Sequence, residues 1–470
     1  MSKYLYGASV QGIQGFIFET NKLQEIVGAS EIVKEIEEDF RVISGLKIGS
    51  EQIIVNAAGN IKAKLDEKSC QQVVEELSKR VMQKAYGISI SQAVVLMEGA
   101  FFDEQDAINE LERKLKIQRN KPSVSLDMSL NIMELNPATS KAITHKEKKG
   151  KDTIVFNKAS QQKRDAFPST SEFKEISDLS NAKNKIAIIH ADGNGLGELI
   201  PNLKDKGIKL SDFSIKLDEA TREAFDEAKS SIKEIREVIL GGDDLTVICN
   251  ANDALNFTQT FLKAFEEKTE EKLKHKLTAC AGIAYTNDKY PFHYAVSLAE
   301  SLCSETKKHA KALRERKKLE FVPSSLMFHN IQSSNFQAWS KFLEDELSIS
   351  NDKEDIYCDF GPYYLDEQNQ PLISNFLNSV GAYACDGSPI SRLRNWLSEL
   401  GKSSVYSENL LKRINKMLEQ SNDWNCEIMN RNLENLNDKL SNEKLVIEKD
   451  GKKKTPIYDI LQILSVTETK

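Results

Sequence analysis

One order of predicted elements, β-α-β-β-α-β followed by a helix, occurs twice in this 470-residue chain. The second copy begins at an apolar strand over residues 185–191, and apolar spacing alternates between strand and helix periods in the same order in both copies. A tight turn lies 51 residues beyond the end of each first strand: Gly59 follows Ala8, and Asp243 follows Asp192. Two copies of one ferredoxin-like layout, a sheet with helices on one face, account for this repetition.

The segments outside the two copies differ in composition. Residues 132–182 are polar and Lys-rich without sustained periodicity, which predicts a linker or an insertion. Beyond residue 326, helical apolar spacing is interrupted by Asn, Ser and Gly, which predicts a mostly helical region. We therefore predict an α+β fold with four parts: a first ferredoxin-like domain at 1–131, a basic linker or insertion at 132–182, a second ferredoxin-like domain at 183–325 and an α-helical C-terminal domain at 326–470.

Composition excludes several classes of protein. No apolar run approaches the roughly 18 residues that a membrane-spanning helix needs, and the N-terminal residues lack the pattern of a secretory signal. The seven cysteines are far apart and form no C-x-x-C pair, which argues against a disulfide framework and against thiolate zinc sites. We expect a cytoplasmic protein without a membrane partner and without zinc.

The net charge of -7 argues against long-range attraction to bulk nucleic acid. Two local runs are nevertheless basic. Residues 141–164 contain eight Lys or Arg against two acids, and residues 305–318 contain seven against two. Either run can bind phosphate locally, or it can be a solvated linker and a solvated helix face.

The strongest chemical signal is Gly241-Gly242-Asp243-Asp244, which lies between two apolar strands. Paired glycines tolerate positive φ and let a triphosphate approach the backbone, although Gly and Asp are also the commonest residues of a simple hairpin turn. With Asp192 at the end of a neighbouring strand, the two carboxylates form an oxygen-rich cluster of the kind that holds Mg²⁺ or Mn²⁺. This pattern predicts two-metal phosphoryl or nucleotidyl transfer.

The loop that begins at Asp192 lies between a strand and a helix. It is not a dinucleotide-binding fingerprint, because Glu198 occupies the position of the third glycine of G-x-G-x-x-G, and the chain contains no P-loop motif. We expect the Asp192 carboxylate and the Gly193 carbonyl to bind a metal, while amides at the start of the following helix face phosphate oxygens. Gly193 and Asn194 are the candidate nucleotide-binding residues of this loop.

Two further side chains are candidates near this cluster. Lys307, on a predicted helix over about 292–316, is within reach of the β- and γ-phosphates of a bound triphosphate, or it is one of many surface lysines. His190 precedes Asp192 inside an apolar strand, where a core or ligand-orienting histidine is favoured over a direct metal ligand. The scattered histidines form no H-D or H-E-x-x-H pair, which argues against a histidine-based metallonuclease or protease.

These motifs resemble those of the large polymerase-like subunit of type III CRISPR effector complexes and, more remotely, of the GGDEF diguanylate cyclases. The resemblance covers most of the chain, and it includes two palm domains and a helical C-terminal domain. The segments that carry it are Gly7–Ile17, Val27–Ser30, Ile186–Leu199, the Gly-Gly-Asp-Asp turn, Ala281–Ala284, Lys289–Phe292, Thr306–Lys307 and Ser388–Arg394.

The resemblance implies two palms that face each other with two ATP molecules between them. Attack of a 3′-hydroxyl on an α-phosphate then makes cyclic oligoadenylates, which are second messengers. On this chain it assigns metal binding and catalysis to Asp192, Asp243 and Asp244 and triphosphate contact to Gly241, Gly242 and Lys307. The first palm is implied to hold nucleotide without catalysing, with Ser9, Gly59 and Asn60 as candidates. Its turn at 57–60 has no carboxylate with which to bind Mg²⁺.

Three features depart from the family pattern. We find no N-terminal histidine-aspartate nuclease domain and expect no DNA cleavage. The cysteine pairs of the family's zinc module are missing, and Asn194 occupies a position where relatives often have a second Asp. These departures, together with the acidic net charge, favour a stand-alone signalling enzyme.

The leading hypothesis is a Mg²⁺- or Mn²⁺-dependent nucleotidyltransferase that acts in antiphage defence. It converts ATP or another NTP into a cyclic di- or oligonucleotide and releases pyrophosphate. The alternative is a non-catalytic, nucleotide-binding scaffold subunit of an RNA-guided complex. It would bind RNA or small helical subunits through basic surfaces near Arg392, Arg394, Lys412 and Arg413. A template-copying polymerase is a third possibility, without an obvious fingers or thumb segment to support it.

Overall fold

The computed structural model describes most of the chain, which divides into two compact units. The described residues are 4–47, 50–57, 59–98, 104–121, 130, 132–136, 139–150, 152–203, 208–332, 338–350, 355–366, 368–369, 371–385, 387–419, 445–449 and 451–468. The first unit comprises residues 1–178, 197–219 and 238–242, and the second unit comprises residues 179–196, 220–237 and 243–470.

The elements of the N-terminal part follow the predicted order. They are β1 (Tyr4–Gln11), α1 (Ile13–Ile17), α2 (Leu23–Ser44), β2 (Ile53–Ala57), β3 (Asn60–Leu65), α3 (Glu67–Lys84), β4 (Ser89–Leu96), α4 (Glu104–Arg119), β5 (His145–Lys149), β6 (Asp152–Phe156) and α5 (Lys158–Asp165). Strands β1 to β4 form an antiparallel sheet in the order β2-β3-β1-β4, which is the strand order of a ferredoxin-like fold.

Both faces of this first sheet are covered, which differs from the prediction of helices on one face. Leu5 and Tyr6 of β1 point to opposite faces and are both fully buried. The ring of Tyr6 stacks on Phe40 of α2, whereas Leu5 belongs to a cluster with Leu111 of α4. A trailing helix therefore closes the second face, because β1 is apolar on both sides.

The segment predicted as a linker or an insertion contains a hairpin and a packed helix. Strands β5 and β6 pair in antiparallel register, and α5 packs against α2. A Cβ atom on Gly28 would lie 1.6 Å from the carbonyl oxygen of Lys163, so the two backbones meet where only glycine fits. The Lys163 side chain is 1% exposed, and its ammonium donates to the carbonyl of Phe16 and to Glu19. Part of this basic run is thus buried and paired.

The central part of the chain contains the second copy of the layout. Its elements are a 3₁₀ turn (Ile176–Leu179), β7 (Lys185–Gly193), α6 (Leu196–Leu199), a 3₁₀ turn (Ile200–Asn202), α7 (Leu210–Lys229), β8 (Ile235–Gly241), β9 (Asp244–Asn250), α8 (Ala254–Leu273), β10 (Ala279–Asn287) and α9 (Phe292–Lys317). The helical region after Leu196 is thus divided into a short α6, a 3₁₀ turn that contains Pro201, and α7.

The C-terminal part contains helices and short strands. Its elements are β11 (Ser325–Asn330), α10 (Trp339–Asp345), β12 (Ser348–Ser350), β13 (Asp355–Tyr357), β14 (Tyr363–Tyr364), α11 (Ile373–Tyr383), α12 (Ile390–Glu399), α13 (Ser404–Glu419), β15 (Ile447–Lys449), β16 (Lys452–Lys454) and α14 (Ile457–Val466). Four of these strands form a sheet in the order β12-β13-β16-β15, which the sequence analysis did not foresee.

The largest sheet is six-stranded, in the order β14-β11-β10-β7-β9-β8. Its four strands β10-β7-β9-β8 repeat the order of the first sheet, which confirms the α+β class and the predicted repetition. Strand β7 is central and is paired on both sides, with β9 and with β10. Within the described part of the chain, every helix is too short or too polar to cross a membrane.

Candidate active site

The C-terminal end of β7 and the start of β9 place two carboxylates opposite each other. Asp192 pairs with Asp244 in the antiparallel register, so their Cα atoms are separated by only one inter-strand spacing, roughly 4.5 to 5.5 Å. Residues 186–191 of β7 and 245–250 of β9 are buried, and Asp192 and Asp244 are the half-buried residues that adjoin them. The fold therefore brings Asp192 and Asp244 together at one edge of the sheet.

Asp243 lies beside the same pair. Its carbonyl accepts a hydrogen bond from the Gly193 backbone N–H at 3.2 Å. A Cβ atom on Gly193 would lie 2.8 Å from the Asp243 Cβ, so the aspartate side chain packs over a position that has no side chain of its own. Asp192, Asp243 and Asp244 thus occupy one small region of the second unit.

Crowding and burial shift the titration of two of these carboxyls. Burial, followed by the charge of Asp192 and a hydrogen bond with it, raises the pKa of Asp243 to about 7. Burial and the same neighbouring charge raise the pKa of Asp244 to about 7, while the Lys307 ammonium acts in the opposite direction. Ionised oxygens held this close without full solvation attract a cation strongly.

Lys307 provides a cation in this structure. Its ammonium lies 2.5 Å from the Asp192 carboxylate and donates to the Gly193 carbonyl at 2.8 Å. These are two of the oxygens that the sequence analysis assigned to a metal. The helix that carries Lys307 sits very close to the sheet, since a Cβ atom on Gly282 of β10 would lie 2.1 Å from the carbonyl oxygen of Ala299.

The donor set fits a hard divalent cation in chemistry. It consists of carboxylate and carbonyl oxygens, and Oδ1 of Asp244 is buried and has no hydrogen-bond partner within the described residues. In the arrangement seen, however, no three His, Cys, Asp or Glu side chains of the described residues converge as a ready metal site. The Lys307 ammonium contacts Oδ2 of Asp192 and the Gly193 carbonyl, so a metal that used these two atoms would compete with the lysine for them.

His190 lies beside Asp244, and its role as an orienting residue stays a prediction. It is buried, and its Nδ1 lies 3.1 Å from the Thr246 hydroxyl and 3.5 Å from Oδ1 of Asp244. Burial lowers the pKa of His190, which favours a neutral ring at neutral pH.

Asn194 turns into the protein interior. Its side-chain amide donates to the Thr278 hydroxyl at 3.0 Å, and its backbone N–H donates to the Thr278 carbonyl at 2.7 Å. A phosphate contact from this backbone amide, as predicted, therefore requires that bond to open.

The glycine turn has a support that the sequence analysis missed. Gly242 has a φ of 62°, a value that favours glycine, and its N–H donates to Oδ1 of Asp218 at 3.2 Å. Asp218 lies on α7 in the first unit together with Gly241 and Gly242. In the sequence, Asp218 is one acidic residue among several on a predicted helix. Nothing in the sequence connects it with the glycine turn.

The predicted nucleotide-holding residues of the first unit also lie together. Ser9 and Asn60 are register partners on β1 and β3, and the Ser9 hydroxyl donates to Oδ1 of Asn60 at 3.1 Å. Gly59 has a φ of 73°, and its N–H donates to the Glu37 carboxylate at 3.2 Å. Ala58, which precedes Gly59 in the same turn, lies outside the described residues. A carboxylate from α2 therefore adjoins a turn that has none of its own.

A family model covers the strands and helices that carry the carboxylates and Lys307. Residues 185–319 match the model described as Cas10/Cmr2, second palm domain. This segment is therefore similar to a Cas10-type palm. The resemblance to the polymerase-like subunit of type III CRISPR complexes, stated from the sequence, is thereby confirmed. No curated protein matches the chain.

Solved structures extend the likeness beyond the Cas10-type palm. A chain of a Csm1–Csm4 cassette in complex with cA4 aligns with a TM-score of 0.52 and 13% identity, over 99% of this chain and 69% of that chain. A cassette in complex with AMPPNP gives a TM-score of 0.52 and 13% identity, over 99% and 70%. At such identities the likeness shows the fold alone.

A third match is shorter. A Csm1–Csm4 cassette in complex with pppApA aligns with a TM-score of 0.44 and 14% identity, over 66% of this chain and 53% of that chain. This chain thus spans about half the length of that one. For this chain, the activity, substrates and partners of the whole assembly are therefore proposals.

Proposed function

We propose that this chain is a divalent-metal-dependent nucleotidyltransferase that makes cyclic nucleotides or oligonucleotides from ATP or another NTP. The observation that carries the proposal is the opposed pair Asp192 and Asp244, with Asp243 beside it, inside a Cas10-type palm. Clustered carboxylates at the end of buried strands are the usual protein contribution to metal-assisted phosphoryl and nucleotidyl transfer.

Asp192, Asp243, Asp244 and the Gly193 carbonyl would hold Mg²⁺ or Mn²⁺. When bound, the metal lowers the pKa of the attacking hydroxyl and neutralises charge that develops on phosphate oxygens. The raised pKa values of Asp243 and Asp244 indicate that their ionised forms lack compensating positive charge in this arrangement. This lack of positive charge is consistent with Asp243 and Asp244 binding a metal cation.

Lys307 is the side chain of this site whose positive charge could bind the phosphates of a substrate. Its ammonium is held by the Asp192 carboxylate and the Gly193 carbonyl. A triphosphate offers several anionic oxygens, which compete for the ammonium by charge-assisted hydrogen bonds. We assign to Lys307 the binding and orientation of the β- and γ-phosphates, and to His190 the orientation of Asp244.

Adenine nucleotides are the substrates that the comparisons favour. Crystal structures with the same overall fold contain AMPPNP, cA4 or cA3. We therefore place ATP first among the substrates and cyclic oligoadenylates first among the products, in CRISPR-type defence signalling. The same structures are two-protein cassettes, which supports a partner subunit for this chain, and contact with RNA is part of the same proposal.

The test is a direct search for product. The protein is incubated with each NTP and Mn²⁺ or Mg²⁺, and pyrophosphate and phosphatase-resistant products are followed by mass spectrometry. Asp243→Asn and Asp244→Asn are expected to reduce product formation at least about 100-fold, because each removes a metal-binding charge. Asp226→Asn, at an exposed position of α7, is the matched control.

Two results would contradict the proposal. One is the absence of product with every NTP, with and without added RNA and partner subunit. The other is product formation that is unchanged in Asp243→Asn. ATP binding without consumption would instead support the non-catalytic scaffold.

A further inference from the structure

A cavity lies in the second unit, away from the carboxylates Asp192, Asp243 and Asp244. It has a volume of about 640 Å³, within the range of about 300 to 1,000 Å³ that is usual for small-molecule sites. Its walls come from the start of β7, the end of β11, the α10–β12 connection, α12 and α14.

The cavity and the carboxylate cluster are at opposite ends of one strand. Lys185, which lines the cavity, is the first residue of β7, and Asp192 is the eighth. At about 3.3 Å per residue, seven steps along a strand separate the two positions by about 23 Å. A ligand in this cavity therefore does not touch the candidate active site.

Two cationic side chains line the cavity. Lys185 and Arg394 both line it, and neither has an ion pair or a side-chain hydrogen bond within the described residues. Burial without a compensating charge lowers the pKa of Lys185. Among the described residues that line the cavity, Glu346 is the one carboxylate, so these residues together carry a net positive charge. An anionic group placed between the walls would compensate it.

The same cavity offers an unused hydrogen-bond acceptor. Asn330 is 4% exposed; its backbone N–H donates to Gln462 and its side-chain amide donates to Ser465. Its Oδ1 atom is buried and has no partner among the residues that the structure describes. A buried acceptor without a partner costs free energy. This atom is closed to water here, so a ligand N–H or O–H reaches it once the Asn330 side chain turns toward the cavity.

The remaining lining is apolar and aromatic. Leu397 and Leu461 come from α12 and α14, and the ring of Tyr458 adds a flat surface. A ligand that satisfies all three parts carries an anionic group, a hydrogen-bond donor and a flat or apolar portion. Nucleoside monophosphates have this combination at a size that the cavity accommodates.

We propose that this cavity is a second ligand site, which binds a small organic phosphate of the nucleoside monophosphate class. The phosphate is held by Lys185 and Arg394, and a donor of the base or sugar is held by Asn330. This site is independent of the proposed nucleotidyltransferase activity, because none of its residues belongs to the carboxylate cluster.

The experiment measures AMP binding by isothermal titration calorimetry in the presence of EDTA. Wild-type protein is expected to bind AMP saturably. Lys185→Met and Arg394→Met are expected to weaken binding about tenfold or more, because each removes a charge-assisted contact. Arg392→Met, an exposed position of the same helix that does not line the cavity, is expected to leave the affinity within about twofold.

Two further probes define the ligand class. Inorganic phosphate and adenosine each offer only part of the contacts, so each should bind at least about tenfold more weakly than AMP. Equal affinity for inorganic phosphate would overturn the assignment to nucleoside monophosphates. The site itself is refuted by absent AMP binding up to millimolar concentration, or by equal losses in Arg392→Met and Arg394→Met. Arg394 is exposed, so its variant keeps the test decisive even if Lys185→Met does not fold.

Discussion

The ammonium of Lys307 bridges the Asp192 carboxylate, at 2.5 Å, and the Gly193 carbonyl, at 2.8 Å. A single side chain thus engages two oxygens that the sequence assigned to a metal. An ammonium and a divalent ion repel each other, so we expect Lys307 and a metal to compete at Oδ2 of Asp192 and at the Gly193 carbonyl. Release of the lysine by a triphosphate would couple substrate binding to metal binding.

Replacement of Lys307 by Met should separate these two effects. Mn²⁺ affinity without nucleotide is expected to rise about threefold or more, because the competing charge is gone. The KM for the NTP is expected to rise about tenfold or more, because a charge-assisted contact is lost. Mn²⁺ binding is measured by electron paramagnetic resonance, and KM by pyrophosphate release. Lys308→Met, at an exposed neighbour paired with Glu305, is the control, and unchanged Mn²⁺ affinity in Lys307→Met would contradict the competition.

Asp218 is expected to act by positioning the glycine turn. Its Oδ1 accepts the Gly242 N–H at 3.2 Å, so Asp218→Ala should loosen the turn and reduce kcat about tenfold. Asp218→Asn retains an oxygen acceptor and should restore most of the rate. Steady-state kinetics of both variants check this. Equal losses in the Ala and Asn variants would show that the charge of Asp218, and not its hydrogen bond, is what the turn requires.

Because the pKa of the buried Asp459 carboxyl is raised, we expect the protein to lose stability as pH rises. It accepts hydrogen bonds from the Tyr363 hydroxyl and from Gln462, near the charges of Asp359, Lys454 and Lys449. Burial raises its pKa to about 7, so the folded state retains a proton that the unfolded state releases above its ordinary pKa. The free energy of unfolding should therefore fall as pH rises from about 4 through 7, by on the order of a few kcal/mol.

Urea unfolding from pH 5 to pH 8 in EDTA measures this slope. Asp459→Asn should make this slope shallower, because an amide does not titrate. Asp243 and Asp244, whose pKa values are also raised to about 7, still contribute the remaining slope in that variant. Asp366→Asn, in an exposed turn that accepts the Gln368 N–H, should leave the slope unchanged. A wild-type slope that persists in Asp459→Asn would assign it to other groups.

Gly28→Ala should undock α5 from α2. The added Cβ would meet the Lys163 carbonyl, a backbone atom that cannot rotate away, so a loss of about 2 to 3 kcal/mol in the free energy of unfolding is expected. Urea titration and limited proteolysis near α5 measure it. Gly381→Ala is the matched control: its position in α11 is open, and alanine there should be neutral or stabilising by up to about 1 kcal/mol. Equal stability of both variants would show that the close approach is not maintained.

The repeated strand order was predictable because its central strands are apolar over their whole length. Residues 186–191 are all buried, so periodicity and turn residues located β7 and its partners. The placement of α4 on the second face of the first sheet was not predictable from helix periodicity, which marks a helix but not its side of a sheet. Strands β12, β13, β15 and β16 have three residues each, which is too short for any period to appear.

The candidate site was predictable to the extent that chain topology determines it. Asp192 and Asp244 meet because they end and begin adjacent strands, and the sequence marks both positions. The partner of Lys307 was not predictable, since reach along a helix does not tell which oxygen an ammonium prefers. Asp218 and Glu37 were missed because each joins its turn from a helix remote in sequence. The catalytic roles themselves remain predictions.

The close contact between Gly282 of β10 and α9 also determines where this helix holds Lys307. The 26-residue helix α9 rests on this glycine near Ala299, and Lys307 lies eight residues further along, about 12 Å at 1.5 Å per residue. A stiff helix transmits a tilt at one point to its whole length, so a single methyl group at 282 would lift the lysine from Asp192. A residue without any functional group therefore sets the reach of the only ammonium seen on that carboxylate in the described residues.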